Sequence, residues 1–176
     1  MILNLIKGKM KSFNEQTSAG KSGSFFFFSS DGKFVLKTIK KKEHRFMRSI
    51  LSNYFKHLRR YPESMIMKVY GLHKIAFTKI DSKKVENNIY FIIMKNAFGG
   101  KLNIDVRYDL KGSLHNRETH GNNSSIAKKD LNFIEDAVKL DLENYDKTFF
   151  LNTLKADTEF FMQNNIIDYS LLLGIH

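Results

Sequence analysis

An Asp-Gly pair set between two apolar runs fixes the first element of this chain. Phe25 to Phe28 and Phe34 to Leu36 flank Ser29-Ser30-Asp31-Gly32. Glycine readily takes the left-handed backbone that closes a tight turn, so this spacing predicts a β-hairpin over 24–39 and an antiparallel sheet around it. Next, Glu43, Met47, Ile50, Leu51, Tyr54 and Leu58 recur at steps of three and four. They predict an amphipathic helix that ends near Tyr61, before Pro62, with Glu43 on its apolar side.

The apolar stretches 69–77 and 89–94, separated by a polar segment, predict a second hairpin. Asp105 to Leu110 reads as another short strand. The stretch 112–128 is rich in Asn, Ser, His and Gly and reads as a mobile loop, the best place for a seam between a sheet-rich first part and a helical second part. A helical period covers 148–164, and Ile166 to Leu173 reads as a buried strand or turn-strand. The fold class expected is therefore α+β in two parts.

Composition narrows the partners. A chain of 176 residues with 16 Phe and 7 Tyr can bury the core of about one domain. Its 29 Lys and Arg against 18 acidic residues give a net charge of +11, which favours an anionic partner such as lipid headgroups, nucleic acid or nucleotide phosphates. The aromatics fall mainly in strand-like or helical apolar runs, as core rather than as a base-stacking platform, which argues against nucleic acid. The absence of Cys excludes a disulfide framework or thiolate metal site and is compatible with a reducing cytosol. The apolar start, Met1 to Ile6, is too short for a signal-peptide core. The longest later apolar run, Ile89 to Met94, is far short of the roughly 20 residues a spanning helix needs, so membrane contact is expected to be peripheral.

Several residues are candidates for chemistry. Gly20-Lys21-Ser22-Gly23-Ser24 precedes a predicted strand, where glycines allow a close backbone approach to phosphates, although an ordinary turn has the same composition. Lys37 ends the apolar run Phe34-Val35-Leu36, placed to reach nucleotide phosphates, and Glu43 on the following helix could pair with it; the alternative for both is solvated charge. In Asp109-Leu110-Lys111-Gly112-Ser113, an extended backbone would put Asp109 and Lys111 on one side, with His115 and Arg117 close downstream to add positive charge. A surface salt bridge beside a turn is the alternative. Asp168 lies between Ile166-Ile167 and Leu171 to Leu173, where a buried carboxylate needs a partner or a task. Lys40, Lys41, Lys42, Arg45 and Arg48 form a basic cluster suited to an anionic leaflet or to a solvated face. The His residues show no zinc spacing.

Taken in order, Gly20-Lys21-Ser22-Gly23-Ser24-Phe25-Phe26, Phe34-Val35-Leu36-Lys37-Thr38-Ile39, Tyr108-Asp109-Leu110-Lys111-Gly112-Ser113 and Ile167-Asp168-Tyr169-Ser170-Leu171-Leu172 resemble the phosphatidylinositol phosphate kinase family. Lys129-Asp130-Leu131-Asn132-Phe133 also fits its pattern. The resemblance implies a divergent protein-kinase-like two-lobed fold, with an antiparallel sheet in the first lobe and an incomplete C-terminal lobe. It implies a lead-in over 1–19 and a kinase domain over 20–176 that stops before the metal-binding aspartate and the activation loop. Gly20, Lys21, Ser22, Gly23, Ser24, Lys37 and Glu43 would serve ATP, with Mg2+ as the metal and its ligands unassigned. Asp168, Lys37, Asp109 and Lys111 would be catalytic, Asp168 orienting or deprotonating the inositol hydroxyl, while Lys111 and Arg117 would contact the lipid phosphate. The expected reaction is ATP-dependent phosphorylation of phosphatidylinositol 4-phosphate to the 4,5-bisphosphate by a cytoplasmic protein peripheral to the membrane, with a homodimer left open. An inactive phosphoinositide-binding fragment and a 3-phosphate 5-kinase are the alternatives.

Overall fold

The structure, a computed structural model, describes residues 13–17, 24–78, 85–100, 102–121 and 126–176. The glycine-containing segment Gly20 to Gly23 lies outside them. Two compact units divide the chain. The first takes in the described residues through Leu51 together with Met67–Gly100, and the second is Ser52–Ile66 with Lys101–His176. The seam expected in the 112–128 loop falls at Gly100 instead. Residues 112–121 are tied by hydrogen bonds into the second unit, among them Thr119 N to Asn132 Oδ1 at 2.8 Å and Leu131 N to Arg117 O at 2.9 Å.

In the first unit, β1 (Phe13–Thr17), β2 (Phe25–Ser29), β3 (Phe34–Ile39), β4 (Val69–Thr78) and β5 (Val85–Lys95) form a five-stranded sheet in the order β1-β2-β3-β5-β4. Every pairing is antiparallel. The hairpin turns where Asp-Gly predicts it, with Gly32 at φ 69°. Asp31 Oδ1 accepts from Ser29 Oγ at 2.7 Å and from Lys33 N at 3.1 Å, so the turn residues satisfy one another. β1 extends the sheet from within the segment read as a lead-in; its single apolar residue gave no alternation to detect.

Helix α1 (Lys41–Arg60) follows β3. Its buried positions are His44, Ile50, Tyr54 and His57, a helical stripe that shares Ile50 and Tyr54 with the one expected and adds two histidines. Leu51 is exposed, and so is Glu43. Glu43 is instead the third helical residue, and its Oε2 accepts from Lys40 N at 2.6 Å, closing the helix start. Within the first unit the His44 ring packs 4.9 Å from that of Tyr90.

The second unit contains β6 (Val106–Leu110), α2 (Asp130–Glu135), α3 (Asn144–Gln163) and β7 (Leu171–Ile175). Tyr108 is its most buried large side chain, edge-on to Phe133 at 5.1 Å, and its hydroxyl donates to Asp136 Oδ2 at 2.6 Å. Burial and the neighbouring carboxylate push the Tyr108 hydroxyl up to about 12. The C-terminal half of α1 packs on α3 through a buried polar cluster. Asp157 Oδ1 meets His57 Nε2 and accepts from Ser64 Oγ, both at 2.7 Å, and Oδ2 accepts from Met65 N at 2.8 Å. Such burial is tolerable because every carboxylate oxygen is bonded.

Candidate active site

A two-stranded ladder brings the site together. β6 and β7 pair antiparallel, with Leu110 opposite Leu171. Residues that leave the end of β6 therefore lie beside residues about to enter β7, and Lys111 meets the segment just before Leu171. Lys111 Nζ donates to Asp168 Oδ1 at 2.5 Å. The Lys111 hydrogen bond and charge hold the Asp168 carboxyl below its ordinary value, with a smaller contribution from the more distant Arg117.

The approach to Asp168 is set by the end of α3. Asn165 N donates to Met162 O at 3.1 Å and Ile166 N to Phe161 O at 2.8 Å. This paired bonding reverses the chain after a helix and needs a left-handed residue, which Asn165 supplies at φ 54°. Ile166 to Ser170 thus lead into the strand, which starts at Leu171, so the turn-strand is the form found. Tyr169 pins the turn by stacking on Phe161 with ring centres 4.5 Å apart. Asp168 itself has φ 61° and a side chain 76% exposed. The burial expected of it is therefore corrected. A non-glycine residue in this region is strained, a condition found disproportionately at functional positions.

Asp130 organises the other side. The buried Asp130 accepts Lys111 N at 2.9 Å and Gly112 N at 2.8 Å on Oδ1, and Arg117 Nε at 2.7 Å on Oδ2. Burial pushes its carboxyl up, but Arg117 and the two amides outweigh that and leave it below the ordinary value. Gly112, at φ 68°, allows both amides to face the same oxygen. Arg117 also donates to the Asp109 carbonyl oxygen. Asp109 Oδ1 is buried without a hydrogen bond and lies 3.7 Å from Arg117 Nη2. Nothing in the sequence gives Asp130 a role beyond its place in Lys129-Asp130-Leu131-Asn132-Phe133; the pointer available was an acidic residue directly after a polar, Gly-containing loop.

Lys111, Ser113, His115, Arg117, Asp168 and Tyr169 line one open cavity of about 960 Å3, with Glu159 and Met162 of α3 across from them. A cationic wall facing an exposed carboxylate can hold a phosphate ester while the carboxylate orients a nearby hydroxyl. The structure thus brings Asp109, Lys111, Arg117 and Asp168 together.

Lys37 and Glu43 belong to the first unit, as does Ser24 at its described edge. The Lys37–Glu43 ion pair considered from the sequence is not formed. Lys37 Nζ lies 5.3 Å from the centre of the Phe26 ring, opposite it on β2, while Glu43 bonds the helix start. In the β3–β5 register Lys37 stands opposite Ile92 and Ile39 opposite Tyr90. Residues two apart share a sheet face, so Lys37 is on the face whose Tyr90 meets His44 of α1.

The sequence model of the family described as Phosphatidylinositol-4-phosphate 5-Kinase matches residues 7–176. A phosphatidylinositol 4-phosphate 5-kinase of Plasmodium falciparum is 38% identical over 100% of this chain and 10% of its own length. The phosphatidylinositol 4-phosphate 5-kinase its3 of Schizosaccharomyces pombe is 38% identical over 93% of this chain and 22% of its own length. Phosphatidylinositol 4-phosphate 5-kinase 4 of Arabidopsis thaliana is 39% identical over 92% of this chain and 20% of its own. The chain belongs to the phosphatidylinositol-4-phosphate 5-kinase family. It spans between 10% and 22% of the length of these relatives.

Proposed function

We propose that this chain serves the ATP-dependent phosphorylation of phosphatidylinositol 4-phosphate to the 4,5-bisphosphate. Membership of the family supports the reaction class. The observation that carries the reading is the Lys111–Asp168 pair in an open cavity, a phosphate-binding cation touching a carboxylate at 2.5 Å. In the transfer, the ring hydroxyl oxygen forms a bond to the γ-phosphorus of ATP and the bond from that phosphorus to the β–γ bridging oxygen breaks. The hydroxyl proton passes to Asp168, and ADP leaves with the bond's electrons. Lys111 holds the phosphate already on the ring. Arg117 completes that cationic wall, held from behind by Asp130 and Asp109.

Following the two-lobed kinase-like plan, the first unit serves ATP, with Lys37 and the Gly20 to Ser24 segment meeting its phosphates, and the second serves the lipid. Glu43 belongs to the same nucleotide side as an indirect contributor through α1. Mg2+ is the metal such reactions take. Among the described residues no three His, Asp or Glu side chains gather to hold one. Among the described residues no helix is long and apolar enough to cross a membrane. The exposed Lys40, Lys41, Lys42, Arg45 and Arg48 dock the protein on an anionic leaflet, each cation adding about 1 kcal/mol near the surface.

The test is transfer of labelled γ-phosphate from Mg-ATP to vesicles that carry phosphatidylinositol 4-phosphate, with 3-phosphate and 5-phosphate vesicles alongside. Label in the 4,5-bisphosphate is the expected result. Vesicle binding without transfer would replace the enzyme with a lipid-binding module, and preference for the 3-phosphate would change the substrate.

A further inference from the structure

We propose that Asp130 is the positioning residue of this site, setting Lys111 and Arg117 at the spacing that receives a phosphate monoester. The inference rests on the reading of the cavity as a lipid-phosphate site. Each Asp130 oxygen is engaged. One holds the backbone of Lys111 and Gly112, and the other holds Arg117 Nε. Because the Lys111 amide is fixed, its side chain leaves the loop from a fixed origin and reaches Asp168. The guanidinium is held at a second point, since Arg117 also donates to the Asp109 carbonyl oxygen.

A single buried carboxylate therefore connects the backbone that carries one cation to the head of the other. Asp130 does not line the cavity. Its negative charge is offset by Arg117, so Asp130 orients the guanidinium without adding net charge to the site. Asparagine in its place offers one acceptor oxygen, which cannot serve both the amide pair and Nε. Glutamate keeps two acceptors but displaces them by one methylene.

The test compares the full chain with Asp130→Asn and Asp130→Glu, and with Asp157→Asn as a control at a buried carboxylate away from the cavity. Affinity for phosphatidylinositol 4-phosphate vesicles, the KM for ATP and amide hydrogen exchange are measured where each variant is folded. The expected result for Asp130→Asn is about tenfold weaker vesicle binding, faster exchange at the Lys111 and Gly112 amides, and an unchanged KM for ATP. Asp130→Glu should show the same loss in milder form, and it carries the test if Asp130→Asn does not fold. Asp157→Asn should lower stability and leave vesicle affinity alone. Wild-type vesicle affinity in either folded Asp130 variant, or unaltered exchange at both amides, overturns the proposal. A wild-type chain that binds no phosphoinositide vesicles overturns the lipid reading itself, and amide exchange still decides whether Asp130 holds the loop.

Discussion

Lys111 Nζ and Asp168 Oδ1 lie 2.5 Å apart although 57 positions separate them in the chain. The β6–β7 register explains their meeting, because the ladder ends at Leu110 and Leu171 and releases both segments on the same side. Lys111 stabilises the ionised form of Asp168. A ring phosphate that draws Lys111 away would raise the basicity of Asp168 when the hydroxyl needs an acceptor.

Lys111→Met is expected to move the Asp168 titration up from its depressed position towards the ordinary 3.8. With the folded value lowered, the pair's contribution is present above 3.8 and fades as pH falls through the depressed value. Carbon NMR of the Asp168 carboxyl against pH measures this directly. An unchanged titration in Lys111→Met would contradict the pairing.

Gly112→Ala should destabilise the protein by about 1 kcal/mol, the usual cost of forcing an L residue into the left-handed region. An added Cβ meets no atom within 4 Å at this position, so backbone conformation alone sets the cost. Gly112→Asn should cost less, because Asn tolerates that region. Urea denaturation ranks the variants, and an Ala variant as stable as wild type would refute the account of the turn.

Asp157→Ala should cost about 3 kcal/mol, since it strands the buried partners that Asp157 now serves. Equilibrium urea unfolding reads the loss. A change within experimental error would mean that the cluster does not secure α1 to α3.

Acid should weaken the second unit through Asp130 and Asp136, both held below the ordinary 3.8. For Asp130 burial opposes the shift and Arg117 with two amides overcomes it; for Asp136 the Lys128 and Tyr108 hydrogen bonds drive it. Their contribution is present above 3.8 and disappears as pH falls through the folded values. The stability gap between wild type and Asp130→Asn should therefore narrow on acidification. A gap that stays constant would contradict it.

Much of the scaffold is legible in the sequence for identifiable reasons. Asp31-Gly32 announces the first hairpin, and apolar runs announce β4 and β5. The α1 stripe is legible at Ile50 and Tyr54, but not at His44 and His57, which count as polar by type. In the fold their rings pack on Tyr90 and Phe160, and His57 meets a carboxylate. Ile166 and Ile167 look strand-like, which leaves a strand and a turn-strand both open over 166–173; Asn165 reverses the chain there and the turn-strand is the form found. Lys111, Arg117 and Asp168 stood out by residue type and motif. Asp130 did not, because its three donors come from a loop whose path only the fold reveals.

On the proposed function, Lys111 and Asp168 should act together in one phosphoryl transfer. Transfer from Mg-ATP to phosphatidylinositol 4-phosphate vesicles, measured for wild type, Lys111→Met, Asp168→Asn and the double variant, tests it most directly. Each single change should lower the rate by about a hundredfold or more, and the double variant should be little slower than the worse single one. Losses that multiply, or an Asp168→Asn variant as fast as wild type, would contradict the account.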